Sequence, residues 1–219
     1  MNFVAIQKLI KHDLETVGLL NTSYDVAYKA VNHFAYLRVI KCVTINETNP
    51  QYLNGNDKYT YGFLSAEKLS EFAKVEEYAL SESGVAQALR EGHECYGILD
   101  GNTLASYGWY TNNPTNFSDE LRLHFNSDYI YMYQGYTHHK YRGERLHAIG
   151  MTMALREYLA RGFKGLVSYV DSTNFSSLKS VYRMGYKDFG TIYILKAFGA
   201  YLTHRNQSCE EYGFRIEKI

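Results

Sequence analysis

The stretch YIYMYQGYTHHKYRGERLHAIGMTMALREYLARG, residues 129–162, constrains the chain more than any other. Its first part, 129–137, is an aromatic and apolar run that reads as a strand. Leu146, Ile149 and Met153, with Leu155 and Leu159, then share one face of a helix that starts near Gly143 and ends beside Arg161 and Gly162. A strand that runs directly into a helix must bury both against one core, which calls for layers of helix on sheet. The junction places Lys140, Arg142 and Arg145 around Gly143. Two readings are open for it. One is a solvated turn whose glycine supplies a backbone shape that other residues resist. The other is an anion site, where unpaired N–H groups and the helix dipole face a ligand.

The other segments fit the same layered plan. Apolar spacing predicts helices over 3–20 and 23–37, the second with Val26, Ala30, Phe34 and Leu37 on one face. The run 36–45 is β-branched and reads as a strand, and the Asn/Pro/Gly-rich connection after it is a candidate boundary. Further on, YTYGFL reads as a strand, Ser65 as the cap of a helix over 66–75, and a short helix is expected near 84–91. ECYGILDGNTLASYGWY is a hairpin turning at Asp100, Gly101 and Asn102. After the junction come the strand GLVSYV, the helix NFSSLKSVYRM stopped by Gly185, and the strands GTIYILKAF and YGFRIEKI.

Composition narrows the function classes. Lys plus Arg and Asp plus Glu both number 23, so no basic excess exists to neutralise a nucleic-acid backbone, and any basic site is local. The first twenty residues alternate apolar and charged positions, which suits neither a secretory signal nor a membrane span; a cytoplasmic protein is expected. Cys42, Cys95 and Cys209 are odd in number and far apart, so neither a disulfide framework nor a metal site is expected, and they read as buried or incidental thiols.

The succession of hairpin, strand, basic glycine turn, helix, strand, DSTNFSSLKSVYRMGY and strand resembles the GNAT acyltransferase superfamily over roughly residues 59–219. That family marks its acyl-CoA site with Q/R-x-x-G-x-G/A, for which this chain has Lys140-Tyr141-Arg142-Gly143-Glu144-Arg145. Lys140 stands where Gln or Arg is usual, and Arg145 where a small residue is. A second signature, N-x-x-[SA] leading to G-[FY], appears as Asn174, Ser177, Gly185 and Tyr186. The resemblance implies an α/β (α+β) fold: a mixed, mostly antiparallel sheet with splayed central strands, flanked by helices. Residues 59–219 would form the acyltransferase domain, and residues 1–58 a helical extension with one strand.

It also implies an acetyl-CoA or other acyl-CoA donor and transfer of the acyl group to a primary amine of a small molecule in a ternary complex. Tyr136, Thr137, Lys140, Arg142, Gly143, Glu144, Arg145 and Leu146 would line the donor site, with Asn174 and Ser177 near the pantetheine arm. Asn174 also reads as a helix N-cap. The extension would cover the acceptor, form a homodimer contact or widen the acyl tunnel, and an acyl carrier protein is an alternative donor. Turnover calls for a base and an acid. The family's usual tyrosine position is Val181 here; Tyr182, one residue further, is the candidate acid, although one residue of helix turns about 100°. Tyr131 and Tyr133 share a strand face as candidate bases, Asp128 lies near the strand start, and His138 and His139 read as exposed loop residues beside the phosphates. The 22 tyrosines belong mostly to packing, a few of them to a flat-walled pocket suited to an uncharged or weakly charged amine such as an amino sugar or amino acid derivative. A different class is also open, an acyl-CoA-binding sensor or scaffold without turnover.

Overall fold

The computed structural model describes residues 18–219, so most of the helix expected over 3–20 lies outside the described residues. Helix α1 spans Leu19–Phe34 and not 23–37. It opens after Gly18, whose φ of 83° is left-handed, with Thr22 Oγ1 donating to the Gly18 carbonyl at 2.9 Å. It stops at an extended Ala35, because the run Tyr36–Ile45 is taken by strand β1, and Leu37 is a strand residue. Of the apolar face expected for it, Val26 and Ala30 are exposed, whereas Thr22 is buried.

The remaining elements are β2 (Thr60–Phe63), α2 (Ala66–Phe72), α3 (Glu82–Arg90), β3 (Glu94–Asp100), β4 (Thr103–Thr111), β5 (Thr115–Asn116), β6 (Leu121–His124) and β7 (Ile130–Thr137). After these come α4 (Leu146–Ala160), β8 (Leu166–Asp171), α5 (Phe175–Met184), β9 (Lys187–Ala197), β10 (Ala200–Arg205), α6 (Ser208–Glu211) and β11 (Arg215–Lys218). Ser65 and Ser81 cap α2 and α3, each side chain accepting from a first-turn N–H. Gly101, at φ 58°, makes the β3–β4 turn, and Gly185, at φ 107°, closes α5.

Eight strands form one sheet in the order β10-β9-β1-β8-β7-β4-β3-β2. Every neighbouring pair is antiparallel except β7 and β8. The boundary expected after residue 58 does not divide this sheet. β1 pairs with β8 along Ile40–Ile45 and with β9 along Tyr36–Thr44, so the strand assigned to an extension is interior to it. The burial of Ile40, Cys42 and Val43, each at 0%, follows from that position.

One face of the sheet is covered by α4 and α5, around Val43, Ile130, Met132, Leu155, Leu166 and Met184. The opposite face is shared. α2 and α3 cover the β3–β4 half through Leu69, Phe72, Val85 and Leu104. The small sheet β11-β6-β5 covers the β1–β8–β9 half through Leu121, Leu123 and Ile216. Each such buried aliphatic side chain contributes about 1.5–3 kcal/mol. The three cysteines are all buried. No described helix is long and apolar enough to cross a membrane.

Candidate active site

β7 and β8 run parallel but pair only at Ile130↔Leu166 and Tyr131↔Val167. Beyond Ser168, whose hydroxyl donates to the Met132 carbonyl at 2.8 Å, β8 follows β1 while β7 follows β4, and the two part. At the parting β7 carries a bulge. Tyr107 faces Tyr136 and Trp109 faces Tyr133, so Gln134 and Gly135 together oppose Gly108. Gln134 has a left-handed φ of 47°. A bulge takes its extra residue out of the ladder and re-aims its neighbours, which leaves backbone polar groups at the edge of the gap.

The basic junction meets this bulge from the α4 side. The helix begins at Leu146, not near Gly143, because both Gly143 (φ 92°) and Arg145 (φ 60°) are left-handed and hold 143–145 out of it. Arg145 makes no side-chain cap, and the first helical bond runs from the Ile149 N–H to the Arg145 carbonyl. The N–H groups ahead of it therefore have no partner inside the helix. Arg142 and Arg145 are exposed, and neither side chain has an ion pair among the described residues. An uncapped helix start with two unpaired guanidiniums fits a pyrophosphate. The side chains of Glu144 and Leu146 face elsewhere: the Tyr59 hydroxyl donates to Glu144 Oε2 at 2.5 Å, and Leu146 is buried among Tyr59, Ile98 and Ala105. His147, which burial holds below the ordinary imidazole pKa, lays its ring where a Cβ on Gly135 would stand, and so joins the helix start to the bulge.

On the opposite face the bulge adjoins a chamber of about 460 Å³, between α3, Trp109, Tyr133 and the short strand β5. His93, at the entry to β3, is 5% exposed and shares a 2.5 Å hydrogen bond between its Nδ1 and the Tyr133 hydroxyl. Its Nε2 is buried without a hydrogen-bond partner among the described residues and lies 3.5 Å from Glu91 Oε2. Desolvation lowers the His93 pKa, with Glu91 opposing that shift, and burial raises that of Tyr133. The ring is therefore a neutral acceptor or donor at neutral pH and the phenol keeps its proton. The sequence reading missed His93; its one local signal is a histidine between Glu91 and Glu94 at the start of an apolar strand.

The other expected residues are distributed as follows. Tyr131 is buried and stacked between Tyr133 and Tyr169, with ring planes 9° and 17° apart, and desolvation pushes its pKa well up. Tyr182 turns away from the gap toward β9, where its hydroxyl donates to Asp188 at 2.9 Å and its pKa is pushed up to about 12, burial being the larger cause. Val181 packs into the core beside α4. Asp128 pairs with Lys164 at 2.7 Å at the closed end of β7, roughly 20 Å of strand from the bulge. Tyr136 stacks on Tyr107 and donates to the Glu77 carbonyl, and the Thr137 hydroxyl lies 3.1 Å from that of Ser106. Asn174 caps α5, its Oδ1 accepting from the Ser177 N–H at 3.1 Å.

His138 is not an exposed loop residue. It is 1% exposed, its Nδ1 accepts from the Lys140 N–H at 3.2 Å, and its Nε2 lies 3.0 Å from Glu77 Oε1. That pairing places the proton on Nε2, which donates to Glu77 and holds its carboxyl below the usual range. Glu77, His138 and the exposed His139 bring three potential metal ligands together. A ligating imidazole normally donates through its other nitrogen, whereas here that nitrogen accepts, so the cluster fits a hydrogen-bonded brace under the basic turn better than a metal site.

No protein-family model and no curated protein matches the chain. Among solved structures it is similar to a putative GNAT-family acetyltransferase from Novosphingobium aromaticivorans DSM 12444, at 14% identity over 72% of this chain and 63% of that one, with a TM-score of 0.49. It is also similar to a Drosophila protein, at 17% identity over 82% and 58% of the two chains, with a TM-score of 0.50. A functionally unknown conserved protein from Staphylococcus epidermidis ATCC 12228 gives 10%, 77% and 65%, with a TM-score of 0.50. The chain spans less than two thirds of the length of each of these. At such identities the likeness concerns the fold. The fold itself is the one that the resemblance implies, a mostly antiparallel sheet flanked by helices with one parallel pair that splays.

Proposed function

We propose that the chain is an acyl-CoA-dependent N-acyltransferase acting on a small-molecule amine. The observation that carries this reading is the bulge at Gln134–Gly135, which lies between an uncapped, arginine-flanked helix start on one face of the sheet and the His93–Tyr133 pair on the other. Acyl-CoA, when bound, supplies the thioester whose acyl group passes to the amine with release of the thiol. Arg142, Arg145 and the first-turn N–H groups of α4 hold its phosphates. A backbone N–H freed at the bulge serves as oxyanion donor. His93 Nε2, in the tautomer whose Nδ1–H donates to the Tyr133 oxygen, takes the proton from the acceptor ammonium; as the thiolate leaves, Tyr133 gives it the hydroxyl proton and takes the Nδ1 proton in its place, and the new amide loses its extra proton to solvent. The donor proposed is acetyl-CoA.

Calorimetric titration with CoA and an assay of thiol release over a panel of amines test the reading. Arg142→Ala is expected to weaken CoA binding about tenfold, the loss of one charge-assisted hydrogen bond. His93→Gln is expected to cut turnover about a hundredfold with CoA affinity kept. Tyr182→Phe is expected to leave turnover within about a factor of two, since its hydroxyl is held by Asp188. CoA binding without amine-dependent thiol release from any donor, acyl carrier protein included, would instead identify an acyl-CoA sensor. Absence of CoA binding would refute both.

A further inference from the structure

The chamber beside His93 has a charge pattern that the acyl-transfer reading does not require. Its ionisable lining consists of Glu76, Glu91, His93 and Tyr133, with no lysine or arginine. Glu76 is exposed and has no ion pair among the described residues. Glu91, whose side chain is 42% exposed, is oriented by Gln87, which donates to its Oε1 at 2.9 Å, so that its Oε2 points toward His93 Nε2 at 3.5 Å. That distance is too long for a good hydrogen bond and leaves the buried Nε2 with nothing to bond among the described residues. A buried unpaired nitrogen costs free energy that a ligand N–H recovers. One wall of the chamber is the indole of Trp109, stacked on Tyr133 with ring planes 24° apart. Carboxylates around an aromatic wall select cations.

We infer that this chamber takes a linear dicationic amine, with one nitrogen at His93 Nε2 beside Glu91 and the second ammonium held by Glu76. The inference rests on the acyl-transfer reading for what happens to the first nitrogen, and on the chamber alone for binding. It departs from the uncharged or weakly charged acceptor that the tyrosine content suggested. An amino acid would bring its own carboxylate against Glu91, and a simple monoamine would leave one acid unpaired.

The probes are 1,4-diaminobutane, n-butylamine and glycine, titrated into the purified full chain by calorimetry without any acyl donor. The diamine is expected to bind about tenfold more tightly than n-butylamine and to lose affinity as salt rises, with glycine weaker still. Glu76→Gln is expected to weaken the diamine several-fold while leaving n-butylamine little changed, and Glu91→Gln, whose carboxylate lies 3.5 Å from His93 Nε2, to weaken both. Glu76 makes no side-chain hydrogen bond among the described residues, so Glu76→Gln stands as the test if Glu91→Gln fails to fold. Equal affinity for diamine and monoamine, or indifference of the diamine to both substitutions, overturns the inference. Diamine selectivity without thiol release from any acyl donor leaves this inference standing and refutes acyl transfer; turnover of other amines with no diamine preference does the reverse.

Discussion

Replacing Gly135 by alanine tests whether the bulge and the start of α4 are one mechanical unit. Gly135 is not left-handed, so alanine suits its backbone, and on that ground alone the change would stabilise the fold by about 0.4–1 kcal/mol through the unfolded chain. The site has no room for it. A Cβ there would overlap Cε1 of His147 and stand 2.9 Å from its Nδ1 and 3.0 Å from its Nε2. Overpacking of this kind costs about 1–3 kcal/mol, so the net expectation is a destabilisation of about 1–2 kcal/mol. His147→Ala removes the obstacle, and the double variant should recover most of the loss, giving a coupling of about 1–2 kcal/mol in a double-mutant cycle. Urea unfolding followed by circular dichroism supplies the four free energies. CoA titration of the same proteins should show Gly135→Ala weakening phosphate binding although it lies outside the basic turn. Additive free energies, with a coupling below about 0.3 kcal/mol, would refute the claim that His147 joins the bulge to the helix.

Arg145→Gly should act on stability and binding with opposite signs. Relief of a left-handed arginine is worth about 1–2 kcal/mol, partly offset by the roughly 0.5–1 kcal/mol entropy cost of glycine, so the thermal midpoint should rise while CoA affinity falls about tenfold; a fall in both would assign Arg145 to the fold. The pH profile of turnover should follow His93. Its pKa is depressed chiefly by burial, so the base stays unprotonated down to below the ordinary value of about 6.5 and the rate falls as pH drops through the lowered value. The same shift means that the unfolded chain takes up the proton first. Stability from this group is therefore present above about pH 6.5 and lost as pH falls through the folded value, and His93→Gln should flatten both profiles.

The fold was legible wherever periodicity and turn chemistry agreed. The hairpin at Gly101, the strand leading into α4 and the helix closed by Gly185 each have a local cause, and each formed where that cause placed it. What periodicity does not carry is strand order. β1 reads as a strand from its β-branched run, but nothing in Tyr36–Ile45 says that it lies between β8 and β9. The Asn-rich connection after it is a loop, yet a loop becomes a boundary only when few contacts cross it, and here a whole ladder does. α1 departs from expectation for a related reason: its apolar spacing sets a helix but not what covers it, and Val26 and Ala30 are exposed.

The candidate site divides in the same way. Its phosphate half is contiguous in sequence, so the basic turn was visible, although the helix start was misplaced because a left-handed arginine carries no signal in the sequence. Its proton-handling half is assembled by topology. His93 and Tyr133 are 40 residues apart and meet because β3, β4 and β7 lie side by side, with Glu94 opposite Tyr110 and Trp109 opposite Tyr133. Their two faces of the sheet also differ, since α4 covers one and α3 the other. In the proposed reading a ligand held by Arg142 and Arg145 meets a group held at His93 Nε2 through the gap that β7 and β8 leave beyond Ser168. The bulge at Gln134–Gly135 borders both sides of that passage, Gln134 lining the chamber and Gly135 meeting His147 of α4.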